Sequence, residues 1–204
     1  MKPEDIDYLK NVYAKDKKNY LFHVEMVNSE IPLQYRSLEF DDLDHPQLKS
    51  SKEKVKSYLE RLKKDGLHKL KGKGFYIFGS RGSAKTALAC ILAKEILRLY
   101  KYTVYFIPFL KLADILKNSD EKIIYTDYNF LIIDDFGDYQ IQGFIADSLV
   151  SLIKLRYYQG NPTILTSVLD PQQVRSIFGN SLYSLMFECF VFLDHTKMID
   201  WRKK

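Results

Sequence analysis

A chain of 204 residues, 46% hydrophobic and with a net charge of +5, has the size and apolar content of one α/β domain with a short extension. Its two cysteines, Cys90 and Cys189, sit in apolar runs without metal-ligand spacing; this excludes a disulfide framework and makes them buried free thiols. The opening MKPEDIDYLK lacks the apolar run of a signal peptide and no stretch approaches a membrane span, so a cytoplasmic protein with no membrane partner is expected.

Residues 1–45 read as an N-terminal extension and linker, and 46–204 as the main domain. After Pro3-Glu4-Asp5, a short helix puts Ile6, Leu9, Val12 and Tyr13 on one face, a stripe that docks on its own domain or on a partner. The segment IPLQYRSLEFDDL (31–43) reads as a linker that lays Ile31, Tyr35 and Phe40 on the core. A helix follows over about 46–64, ended by Asp65-Gly66. It carries the densest basic cluster. Lys52, Lys54, Lys56, Arg61, Lys63 and Lys64 either line a solvated helix face or meet nucleic-acid phosphates.

From Gly74 the pattern changes. Apolar strands at about 74–79, 103–108, 129–135, 162–167 and 189–193 alternate with helices at about 84–100, 109–117, 142–159 and 170–178. Short apolar strands separated by helices imply a five-stranded parallel sheet covered on both faces. Tyr105-Phe106 and Tyr157-Tyr158 are assigned to sheet and core. Ligands of such sheets bind beyond the carboxyl ends of the strands, where the motifs fall.

The stretch GFYIFGSRGSAKTALACILAKEIL is an apolar strand, a small-residue loop and a helix with Lys-Thr in its first turn. It follows the phosphate-loop pattern G-x-x-x-x-G-K-[ST] as Gly79, Ser80, Arg81, Gly82, Ser83, Ala84, Lys85 and Thr86. Backbone N–H groups of such a loop and of the helix N-terminus bind phosphate oxygens. Lys85 neutralises the β- and γ-phosphates, and Thr86 gives Mg²⁺ a hydroxyl ligand. Ala84 stands where the pattern has glycine; the expectation is that it takes up helical backbone, which alanine tolerates.

Downstream, YNFLIIDDFGD ends a buried strand in Asp134-Asp135. Two carboxylates at such a place are costly unless cations or hydrogen bonds satisfy them. Asp134 is therefore assigned to Mg²⁺ and Asp135 to orienting or deprotonating the attacking water. At the end of the strand NPTILTS, Thr166 and Ser167 either contact the γ-phosphate or its water, or satisfy a turn.

These segments, together with FGNSLYSLM and the 31–43 lead-in, resemble the DnaC/DnaI-type helicase loaders and the IstB transposition ATPases of the AAA+ class over about residues 31–194. The resemblance implies ATP and Mg²⁺ as cofactors, a strand order of 5-1-4-3-2, and partnership with a hexameric replicative DNA helicase and single-stranded DNA. Duplex DNA with a transposase is the IstB alternative, and self-association is compatible with either. Three features depart from the family pattern. Val168 stands where an amide is usual after Thr-Ser, and Ser181 and Leu185 occupy the two arginine positions of the Gly-Glu-Arg-x-x-x-Arg box. The region before Ile31 is short and has no cysteine cluster. An absent arginine finger implies slow hydrolysis, since such a finger contributes about 10³–10⁵ in rate.

Overall fold

The computed structural model describes residues 17–99, 101–117, 126–137, 143–198 and 200–201. The apolar stripe expected at Ile6, Leu9, Val12 and Tyr13 lies outside them. Strands β1 (Gly74–Gly79), β2 (Val104–Pro108), β3 (Phe130–Phe136), β4 (Thr163–Ser167) and β5 (Phe190–His195) fall within a residue or two of their expected places. They form one parallel sheet in the order β2-β3-β4-β1-β5, the expected order read from the opposite edge.

Alternation along the strands divides the core into two layers. Phe75, Ile77, Ile132, Ile164 and Leu193 face one cluster; Tyr76, Phe78, Leu131, Ile133 and Leu165 face the other. Helices α1 (Lys17–Asn28), α2 (Lys49–Asp65) and α3 (Lys85–Leu97) cover the first layer. Helices α4 (Phe109–Lys117), α5 (Gly143–Tyr158) and α6 (Pro171–Cys189) cover the second.

Helix α3 follows the phosphate loop, and every residue from Ala87 to Ala93 is buried. A helix apolar all round needs cover on both sides. The sheet supplies one side; Phe22 and Met26 of α1, Ile31 and Leu43 of the lead-in, and Val55 and Leu62 of α2 supply the other. Glu39 fastens that cover to α3, with contacts of 3.1 Å to the fully buried Lys94 and 2.7 Å to Arg98. The Arg98 hydrogen bond, then Lys94, holds the Glu39 carboxyl below its usual range against the effect of burial. At the edge strand β2, Phe106 N–H donates to Ser29 O at 2.9 Å, so the turn after α1 satisfies part of the open edge.

The structure adds to or departs from these expectations at three places. Helix α1 was not anticipated, because its apolar residues do not form a clean stripe: Phe22 and Met26 are buried while Leu21 is exposed. The helix expected over about 170–178 is present and breaks at Gly179, whose φ of 82° and ψ of 178° no helix contains; a second helical segment on to Cys189, not anticipated, completes α6. Tyr158, assigned to the core, is 69% exposed, because it lies with Lys154 on the outer face of α5 while Arg156, in the same turn, is fully buried. The cysteines are buried free thiols as expected, with burial raising the pKa of both.

Candidate nucleotide-binding site

The loop from Gly79 to Ala84 leaves the carboxyl end of β1 and turns directly into α3. No side chain caps the α3 N-terminus, so its first-turn N–H groups face the loop without a protein acceptor from the cap position. Ala84 departs from the helical backbone expected of it. It lies outside the helix at φ 60° and ψ 20°, a left-handed conformation that glycine adopts freely and that costs alanine roughly 1–2 kcal/mol. The chain makes that turn in passing from the loop into α3, and the packing of the buried helix supplies the energy. Lys85 is buried and donates to Gly79 O at 3.0 Å and Ser80 O at 2.8 Å, so its ammonium is fixed at the loop.

The acidic strand end meets the loop where the sequence pattern requires. Thr86 Oγ1 donates to Asp134 Oδ1 at 2.8 Å, and Thr166 Oγ1 donates to the same oxygen at 2.5 Å. Burial pushes the Asp134 carboxyl up to about 6, and the neighbouring Asp135 charge adds to the rise; the Thr166 and Thr86 hydrogen bonds and Lys85 oppose it. The β3–β4 register shifts between Ile133 and Phe136, and Asp135 takes a left-handed φ of 56°. A bulge of this kind re-aims a side chain. Asp134 is thereby buried against Thr86, while Asp135 is exposed and lines a cavity of about 260 Å³ in front of the loop. Thr166 Oγ1 also accepts from Asp135 N–H at 3.0 Å, so one hydroxyl positions both acidic residues.

The other assigned residues divide clearly. Arg81, Gly82, Ser83, Ala84, Lys85 and Thr86 all line the cavity with Asp135. Ser167 is turned away: its Oγ donates to Phe136 O at 2.5 Å and accepts from Leu169 N–H at 3.0 Å, which is the turn role. Val168 faces the cavity at the place where an amide is usual. Ser181 is exposed on α6 and Leu185 is part of the core. Arg175 is engaged across the Gly179 break, its Nε donating to Asn180 Oδ1 at 2.8 Å and its guanidinium 5.3 Å from the Tyr183 ring centre.

Tyr35, Ala87, His195 and Trp201 were not anticipated at the site. His195 ends β5. Because Ser83 O only accepts, Nδ1–H is the donor at 2.9 Å, and Nε2 then takes the Ser51 hydroxyl at 3.0 Å. Burial lowers the His195 pKa, which favours this neutral form. The rule that ligands sit at strand carboxyl ends points to β5, but the strand expected at 189–193 stops short of Asp194 and His195, which the structure adds to its end.

A nucleotide and a divalent cation fit the residues present. Among the described residues, Ser83 Oγ is the buried side-chain polar atom without a hydrogen-bond partner, and it lies in the loop itself. An uncapped helix N-terminus, a fixed lysine and two hydroxyl–carboxylate contacts are the donor set for phosphate and a hard cation. Thr86 and Asp134 would hold the metal, which when bound neutralises charge on phosphoryl oxygens.

Of the proposed DNA-contacting lysines, three have protein neighbours. Lys52 Nζ donates to Leu43 O at 3.2 Å, Lys54 Nζ to Phe192 O at 3.4 Å, and Lys56 Nζ lies 5.3 Å from the Phe40 ring centre.

No protein-family model matches the chain. It is 25% identical over 149 residues to the replicative helicase loader DnaI of Bacillus subtilis (strain 168), covering 69% of this chain and 46% of that protein, so it spans about half the length of this relative. Its fold is similar to the crystal structure of the DnaC helicase loader, with a TM-score of 0.68, 21% identity, and coverage of 79% of this chain and 98% of the other. It is also similar to the replication initiator DnaA bound to AMPPCP and single-stranded DNA, with a TM-score of 0.64, 18% identity, and coverage of 80% and 51%. The chain has the AAA+ P-loop fold, and its resemblance to DnaC/DnaI-type helicase loaders holds in sequence and in fold alike.

Proposed function

We propose that the chain is an ATP-binding, helicase-loader-like protein of DNA replication that engages a replicative helicase and single-stranded DNA and hydrolyses ATP slowly by itself. The observation that carries the nucleotide part is the contact of Thr86 with Asp134, which joins the phosphate loop to the acidic end of β3. In a working site Lys85 and the loop amides hold the phosphates, Thr86 and Asp134 hold Mg²⁺, and Asp135 orients the attacking water. Thr166 fixes both carboxylate residues in place.

Slow turnover is supported by Val168 at the cavity and by Leu185 in the core, where no finger can be offered to a neighbouring subunit. The partner assignment is supported by the similarity to a replicative helicase loader, and the single-stranded DNA assignment by the resemblance to the loaders and the fold shared with a DNA-bound initiator.

Calorimetry with ATP and Mg²⁺ tests the first part. Binding is expected for the wild type and none for Lys85→Ala, with turnover well below about 1 s⁻¹, under the usual enzymatic range. Turnover of several per second by the chain alone would overturn the missing-finger argument. Co-purification with the replicative helicase of the same host, with and without ATP, tests the second part. Absence of a complex in both conditions would remove the loader assignment.

A further inference from the structure

We propose that the turn after β5 forms the base end of the nucleotide site, with the Trp201 ring as the surface on which a nucleobase stacks. The proposal rests on the nucleotide-binding reading above and deepens it. The turn is fastened to the phosphate loop at two points: Trp201 N–H donates to Gly82 O at 3.0 Å, and Ser80 Oγ donates to Met198 O at 3.0 Å. Gly82 has φ 76°, and a Cβ there would lie 2.4 Å from Asp200 Cγ, so loop and turn touch with no room for a side chain between them. Trp201 and Tyr35 line the same cavity as Lys85, Thr86 and Asp135.

The sheet order decides which way a nucleotide lies in that cavity. The loop leaves β1, Asp135 ends β3, and Trp201 follows β5, in a sheet ordered β3-β4-β1-β5 at this side. Asp135 and the β5 end therefore flank the loop from opposite sides, three strand spacings or about 14 Å apart. The terminal phosphate must meet the carboxylate that handles water, so the base end points toward the β5 side, where the Trp201 ring is. Stacking on an indole needs only the π face of a base. Trp201 thus recognises a nucleobase without selecting adenine.

Trp201 is the single tryptophan of the chain, so its emission reports directly on this end of the site. The full chain is titrated by calorimetry and by fluorescence with ATP–Mg²⁺ and with inorganic tripolyphosphate–Mg²⁺, which has no base. ATP is expected to change the emission. Trp201→Ala, which keeps the backbone donor to Gly82, should weaken ATP about ten-fold or more and leave tripolyphosphate unchanged. Trp201→Phe should stay within about three-fold of wild type for both. Melting of each variant without ligand checks the fold, and Trp201→Leu replaces the alanine variant should that unfold.

Heat of ATP binding with silent emission and an unchanged affinity of Trp201→Ala would overturn the proposal while leaving the nucleotide site standing. Equal losses for both ligands would overturn it too, since the ring would then act through the loop. So would tighter ATP binding by Trp201→Ala, which would make the turn an obstruction. No heat for wild type with either ligand would remove the nucleotide reading itself, and this one with it.

Discussion

Asp134 concentrates the energetic cost of the site. Its carboxyl is raised to about 6 from an ordinary 3.8, by burial first, against hydrogen bonds from Thr166 and Thr86. Between those two values the folded chain binds the proton that the unfolded chain has released. The stabilising effect of that proton is present below about pH 4 and lost as pH rises through 6. At neutral pH the ionised, metal-free carboxylate costs the fold up to about 3 kcal/mol. Asp134→Asn keeps an acceptor for both hydroxyls and removes the charge. In chelator at pH 7.5 its melting temperature should exceed wild type by several degrees, at roughly 2–4 °C per kcal/mol. The gain should shrink toward zero at pH 4–5, and stabilisation by Mg²⁺ with nucleotide should be lost. Melting curves at the two pH values, with and without Mg²⁺, check this. A variant less stable at both would mean that the threonine contacts depend on the charge.

Among the elements, α6 is built around its break. Asp170 caps it, its side chain accepting from Gln173 N–H while Gln173 returns the bond to Asp170 N–H. Gly179 then lets the axis turn so that Val174 on one side and Leu182 and Met186 on the other reach the same core. Nothing lies within 4 Å of a Cβ built on Gly179, so the constraint there is on the backbone alone. Gly179→Ala should therefore cost about 1–3 kcal/mol without any steric clash, read as a lowered urea midpoint with an unchanged slope. An unchanged midpoint would show that the break straightens at no cost. Helix α3 makes the complementary case. Its buried all-round face, from Ala87 to Ala93, makes the lead-in and the first two helices part of what holds the phosphate loop.

Over the whole molecule, the two ends of the sheet have different tasks. The carboxyl ends of β1, β3 and β4 carry the loop and its acidic partners, while the opposite end is held by Arg156. This fully buried guanidinium donates to Tyr128 O at 2.9 Å, Asn129 O at 3.2 Å, Pro162 O at 2.9 Å and Thr163 Oγ1 at 3.0 Å, tying α5 to the starts of β3 and β4. Burial lowers its pKa to about 9, so it stays charged at neutral pH. Arg156→Met fills the space but leaves those acceptors without the guanidinium, and should cost about 3–5 kcal/mol. Because the site is at the other end, ATP affinity of the folded variant should match wild type. Urea unfolding and calorimetry on one preparation check both halves, and a large affinity loss in a fully folded variant would show the two ends to be coupled.

The sheet was legible in the sequence because short apolar runs between helices leave little choice but buried parallel strands. That the loop from Gly79 to Thr86 meets the Asp134–Asp135 strand end was legible because both motifs fall at the carboxyl ends of parallel strands. Tertiary structure decided what depends on residues far apart in the chain. Thr166 was assigned to positioning both acidic residues and Ser167 to a turn, a choice that adjacent hydroxyls at a strand end cannot make locally. Ala84 was driven into left-handed backbone by the path the loop must take. His195 and Trp201 came to the loop only because β5 lies beside β1, an adjacency set by how strands pair in space and invisible to any local pattern.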